Sequence, residues 1–153
     1  MPSPVEIRNA YWQVFQSINP EFAITLTANQ WYRSPSAIRN DIRRFHGTLD
    51  RLILKRNWHR LPSEQRSDAI WIAEHVDSNG HCHGALRLPM GCEGTLSADE
   101  MFGFVHDIFT RVVPTGSVDV KSIYDARGWW NYMAKDLRQT TDGIWLAREF
   151  HAG

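Results

Sequence analysis

Residues 69–88 read Ala69-Ile-Trp-Ile-Ala-Glu-His-Val76, Asp77-Ser-Asn-Gly80, His81-Cys-His-Gly-Ala-Leu-Arg-Leu88. The first block is apolar and β-leaning, the second is a strong hairpin turn signal, and the third is the returning strand. Upstream, Phe22-Ala-Ile-Thr-Leu-Thr27 alternates, with Phe22, Ile24 and Leu26 on one face and Ala23, Thr25 and Thr27 on the other. Ser34 and Pro35 predict a helix start, and Ile38, Ile42, Phe45, Leu49, Leu52 and Ile53 follow at helical spacing to about Arg56. Downstream, Ser97 and Glu100 predict a capping box for a helix with the stripe Met101, Phe104, Val105, Ile108 and Phe109. Val118 to Ile123 alternates as a strand, Arg127 to Gln139 reads as a helix, and a short tail is anchored by Ile144, Trp145, Leu146 and Phe150.

The order strand, helix, strand, strand, helix, strand, helix predicts an α+β fold of ferredoxin-like split β-α-β type. It has a central antiparallel sheet, helices on one face and an added C-terminal helix carrying a tyrosine. One sheet face is left for a site. Residues 1–18 are compatible with a helix or with an additional edge strand. The length of 153 residues suits a single domain, 1–153, able to bury its own core.

Two cysteines, Cys82 and Cys92, are too few for a disulfide framework and suit a reducing cytoplasm. No signal-peptide pattern is read at the N-terminus, and no apolar run is long enough to span a membrane. The net charge is zero. That argues against a basic binder of the histone kind, yet the zero conceals a split. Residues 33–60 carry eight bases and two acids, giving +6, while residues 61–120 carry three bases and nine acids, giving −6. A basic segment beside an acidic one points to a polyanion partner and a cation site, or to two solvated surfaces.

His81 and His83 are two apart on a strand, so both imidazoles share a face and Cys82 takes the other. Two histidines and a carboxylate make a workable divalent-metal triad. A two-residue turn at Ser78-Asn79 would pair Glu74 with His83, and one at Asn79-Gly80 would pair Val76 with His83. Either keeps Glu74 on the histidine face, whereas a one-residue slip through a bulge would offer His75. Zinc held with Cys82 and Cys92 is the competing arrangement, but Cys82 lies on the wrong face to close a tetrahedron. In Gly128-Trp-Trp-Asn-Tyr-Met-Ala-Lys135, Tyr132 and Lys135 are neighbours on a helix face. A tyrosine hydroxyl attacks phosphorus when a positive charge stands near. The same residues also fit plain amphipathic packing.

Phe22 to Thr27, His81-Cys-His-Gly-Ala-Leu86 and Tyr132-Met-Ala-Lys135, in that order, resemble the three motifs of the HUH endonucleases. The likeness is strongest to the single-tyrosine, rolling-circle replication initiator (Rep) branch and covers about residues 20–140. The resemblance implies a divalent ion, Mg2+ or Mn2+, held by His81, His83 and Glu74. It implies attack by Tyr132 on single-stranded DNA, with Lys135 steadying the phosphate, and a 5′-phosphotyrosine link. It further implies an origin hairpin as substrate, with Arg39, Arg43, Arg44, Arg51 and Lys55 tracking the backbone and Trp31 or Trp129 stacking on bases. No Walker-type motif is present, so a host helicase would be required. A transposase-like nickase shares this chemistry. The alternatives are a catalytically silent nucleic-acid-binding module on the same fold, either a repressor or an RNA binder, and a zinc hydrolase.

Overall fold

The computed structural model describes residues 2–30, 33–55, 57–74, 79–137 and 143–151. Among them the chain is α+β. Its elements are α1 (Pro4–Ile18), β1 (Phe22–Thr27), α2 (Pro35–Leu54), β2 (Asp68–Glu74), β3 (His81–Arg87), α3 (Ala98–Val112), β4 (Ser117–Ser122), α4 (Ala126–Met133) and β5 (Ile144–Leu146). The strands form one five-stranded sheet in the order β4-β1-β3-β2-β5, with every pairing antiparallel. No helix among the described residues is long and apolar enough to cross a membrane.

Strand alternation sorts side chains onto two faces, and each face has its own apolar core. Phe22, Ile24, Leu26, Trp71, Cys82, Leu86 and Val120 pack against Ile38, Phe45 and Leu49 of α2 and Met101 and Val105 of α3. The predicted caps hold: Ser34 accepts from the Ala37 amide, and Ser97 and Glu100 cap each other's backbone. Leu52 and Phe104, placed in the two stripes by spacing, are exposed instead. Each lies at the rim of its apolar arc, where the sheet no longer covers the helix. Gly84 is required by close packing, because a Cβ there would meet the Trp71 indole at 2.4 Å.

The second face departs from expectation, since it is covered rather than left open. The segment before β1 supplies helix α1, started by a Ser3–Glu6 capping box with Pro4 at its first position. Ile7, Phe15 and Ile18 of α1 and Trp130 and Met133 of α4 pack on Ile70, Ile72, Ala85 and Ile144. The tail is also more than an anchor. Ile144–Leu146 is a fifth strand on the β2 edge, with Ile70 opposite Leu146 and Ile72 opposite Ile144. Three residues are too short a run for alternation to announce a strand. What remains uncovered on this face lies over β1 and β4.

Candidate active site

The hairpin register pairs Glu74 with His81 and Ile72 with His83. This differs by two residues from the nearer of the two turn readings. Because the side-chain period is two, a two-residue shift leaves Glu74 on the histidine face. β2 ends at Glu74. The alternative ligand His75, part of the turn and the stacking candidate Trp31 lie outside the described residues. Cys82 is buried in the opposite core, where desolvation pushes its thiol pKa up. Cys82 is thus a core residue facing away from the histidines.

His83 is the centre of the cluster and only 3% exposed. Its Nδ1 lies 3.0 Å from Thr25 Oγ1, directly across the β1–β3 pairing. Its Nε2 lies 3.1 Å from Glu74 Oε2, yet out of line for a hydrogen bond, so this buried nitrogen has no hydrogen-bond partner among the described residues. Burial lowers the His83 pKa, Lys135 and His81 act in the same direction, and Glu74 opposes them. The ring is therefore neutral at pH 7. Thr25 holds the Nδ1 side of the ring, and Nε2 faces the Glu74 carboxylate.

Helix α4 brings the tyrosine to this point. Asp125 caps it by accepting from the Gly128 amide at 3.0 Å, and Trp129 Nε1 donates to the Gly84 carbonyl of β3 at 3.1 Å. The Tyr132 ring then stands 5.0 Å from the His83 ring and stacks on Trp129 at 5.4 Å. The helix is shorter than its apolar spacing predicts. It stops at Met133, and Lys135 lies in the turn that follows. Lys135 still meets its neighbour: its Nζ is 3.7 Å from the Tyr132 ring centroid and 3.4 Å from Glu74 Oε1. Desolvation draws the Lys135 pKa down, but Tyr132 and Glu74 together outweigh it, and the net shift is upward. Lys135 is therefore a fixed cation at neutral pH.

Glu74, His83, Tyr132 and Lys135 are thus brought together, with Tyr132 47% exposed at the mouth of the cluster. The donor chemistry of His83 and Glu74 suits a divalent ion: an orphaned, oriented imidazole nitrogen stands beside a buried carboxylate. His81 stands on the same face with its ring 5.9 Å from that of His83. Among the described residues, no three His, Cys, Asp or Glu side chains gather about one point as a metal site would require. Two residues that position the cluster were not singled out for these roles by sequence. Thr25 orients His83 through a pairing 58 residues apart in the chain, and Trp129 ties α4 to β3. The Asp125-Ala-Arg-Gly128 spacing was the available signal for the helix cap.

The five bases assigned to DNA lie elsewhere. Arg39, Arg43, Arg44 and Arg51 lie on α2 and Lys55 caps its C-terminus, and α2 covers the opposite face of the sheet. Arg39 pairs with Glu149 at 3.8 Å and lies over the Phe150 ring, and Arg43 donates to Asn40. Arg43, Arg44, Arg51 and Lys55 are exposed. A comparison with protein-family models, curated proteins and solved structures finds no match to this chain.

Proposed function

We propose that the chain is a metal-dependent enzyme that nicks and rejoins single-stranded DNA through Tyr132, of the HUH type. The observation that carries this reading is the convergence of Tyr132, Lys135, His83 and Glu74 from three separate elements on one face of the sheet. The strand order β4-β1-β3-β2, with α2 and α3 on one face, supports it as a ferredoxin-like reading of the fold. So does the tyrosine on a helix added after β4.

In this reading the Tyr132 hydroxyl attacks the scissile phosphorus, the phosphorus–O3′ bond breaks, and the phenolic proton leaves as the 3′-hydroxyl gains one. The product is a 5′-phosphotyrosine and a free 3′-end, and attack by that end reverses the step. Lys135 holds positive charge over the ring and beside the phosphate as negative charge develops. Trp129 fixes the ring's position, and Thr25 holds the His83 ring in place. His83, Glu74 and His81 are the residues that would hold Mg2+ or Mn2+, which would supply positive charge to polarise the phosphate. The exposed bases of α2 then hold DNA on the far side of the domain, away from the reacting strand. An origin hairpin, a host helicase and a cytoplasmic site of action belong to the same reading.

Incubation with single-stranded DNA and Mn2+ should give a covalent adduct on a denaturing gel. Tyr132→Phe should remove it completely, and an adduct that persists in that variant eliminates Tyr132 as nucleophile. One observation favours a second reading, a silent nucleic-acid-binding module. Lys135 and His83 already lie against Glu74, and among the described residues no three ligands converge. Salt-sensitive DNA binding with neither adduct nor metal uptake would select that reading.

A further inference from the structure

Beside Tyr132, the uncovered part of the same sheet face forms a cleft of about 480 Å3. The Trp129–Tyr132 pair walls it on one side, Thr25 lies on its sheet floor, and Asp119, Lys121 and Tyr124 edge it on the other. Its volume falls within the range of small-ligand pockets and admits one nucleoside, not a duplex. Tyr124 is 94% exposed, an aromatic face that folding has left in water at the rim of a concave site.

We propose that this cleft is a pocket for one unpaired guanine of the bound strand, stacked on the rim aromatics and read by the Asp119 carboxylate. The inference rests on the nucleic-acid reading of the site. A carboxylate repels phosphates, so beside a DNA strand its favourable partners are the N–H groups of bases. Two carboxylates line the cleft. Asp125 is committed to capping α4, where a Cβ on Gly128 would meet its Oδ2 at 2.2 Å. Asp119 is open: its side chain is 61% exposed, with Lys121 Nζ 3.9 Å away to offset its charge against the DNA backbone. The Watson–Crick edge of guanine presents two adjacent N–H donors to the two oxygens of one carboxylate. Adenine and cytosine offer a single amino group there, and thymine a single ring N–H. Stacking then supplies affinity for any base, and Asp119 supplies the choice among them.

The test is equilibrium binding of the full chain to labelled oligothymidylates carrying one G, A, C or inosine at stepped positions, in chelator so that nothing is cleaved. At one position guanine should bind about tenfold tighter than the other bases, with inosine, which lacks the 2-amino group, losing most of that gain. Asp119→Asn should level the bases, Tyr124→Ala should weaken them all alike, and Tyr124→Phe should retain wild-type binding. Equal affinity for all bases in the wild type, or a guanine preference that survives Asp119→Asn, overturns the proposal. Guanine preference without any covalent adduct keeps the pocket and removes the nickase. An adduct without base preference keeps the nickase and removes the pocket.

Discussion

Two buried histidines, His46 and His83, lie on opposite sides of the same sheet, and their surroundings differ in one decisive respect. His46, on α2, is 1% exposed and bonded at both ring nitrogens. Trp71 Nε1 donates to its Nε2 at 2.8 Å, and its Nδ1 meets Ser67 Oγ at 2.9 Å. An indole N–H only donates, so His46 carries its proton on Nδ1 and gives it to Ser67. The Ser67 amide in turn donates to Asp50, which Arg66 also holds. Both His46 nitrogens, the Trp71 indole N–H and the Ser67 amide thus have their partners inside the protein. His83 has one nitrogen fixed by Thr25 and the other left without a hydrogen bond beside Glu74. A bonded network of this kind fixes a structure, whereas a buried nitrogen without a hydrogen bond, beside a carboxylate, is placed for a ligand.

That contrast can be broken most sharply at His83. His83→Ala should reduce adduct formation by about 100-fold or more. The same variant should lose about 2 kcal/mol of stability in urea titration, since the Thr25 hydrogen bond and the buried ring's contacts with Trp129 and Tyr132 go together. Retained adduct formation would make His83 a structural residue like His46. His46→Ala should do the reverse. It opens a cavity against Phe45 and Trp71 and strands the indole N–H, which costs about 3 kcal/mol. Adduct yield per folded molecule should stay unchanged, and a fall in that yield would couple the two faces.

Acid sharpens the comparison next. Burial lowers the His46 pKa from 6.5 to about 3, with His151 and Arg66 acting in the same sense. Below pH 6.5 the unfolded chain takes up a proton there that the native state refuses, so the stabilisation present above 6.5 is lost as pH falls toward about 3. The slope approaches ~1.4 kcal/mol per pH unit, or roughly 2 kcal/mol lost by about pH 5. Urea titrations of the wild type and His46→Gln across this range should converge as pH falls, and parallel curves would remove His46 from the acid response. The smallest effect belongs to Thr25→Val, which frees the His83 ring to turn. It should lower adduct yield about tenfold and leave the pH dependence of stability in place.

The hairpin shows why some of this was legible in the sequence. The faces of Phe22, Ile24 and Leu26, and of His81 and Cys82, follow from a period of two, which survives any even shift in register. The turn reading misjudged the register by two residues, and Glu74 still reached the histidine face. Caps were legible because they are local chemistry: Ser34, Ser97 and Glu100 each act within one turn of helix. The extent of α4 was not legible. Apolar spacing continues past Met133, but the helix does not, and Lys135 reaches Tyr132 and Glu74 from the turn after it.

The charge pattern teaches the same distinction. Composition alone placed a +6 segment next to a −6 segment. Only the packing of α2 against Trp71, Cys82 and Leu86 put that basic surface on the side of the sheet away from Tyr132. The sequence by itself determined the strands β1 to β4, the helices α2 and α3 with their caps, and the face on which each strand residue falls, because these depend on neighbours within a few residues. Tertiary structure alone decided the covering of the second face by α1 and α4, the strand β5, and the pairing of Thr25 with His83. It also decided that Tyr132 and Lys135 meet Glu74 and His83 at one place. These contacts join residues far apart in the chain. Burial of apolar surface and pairing of backbone hydrogen bonds across the whole sheet select them, and no local pattern encodes that choice.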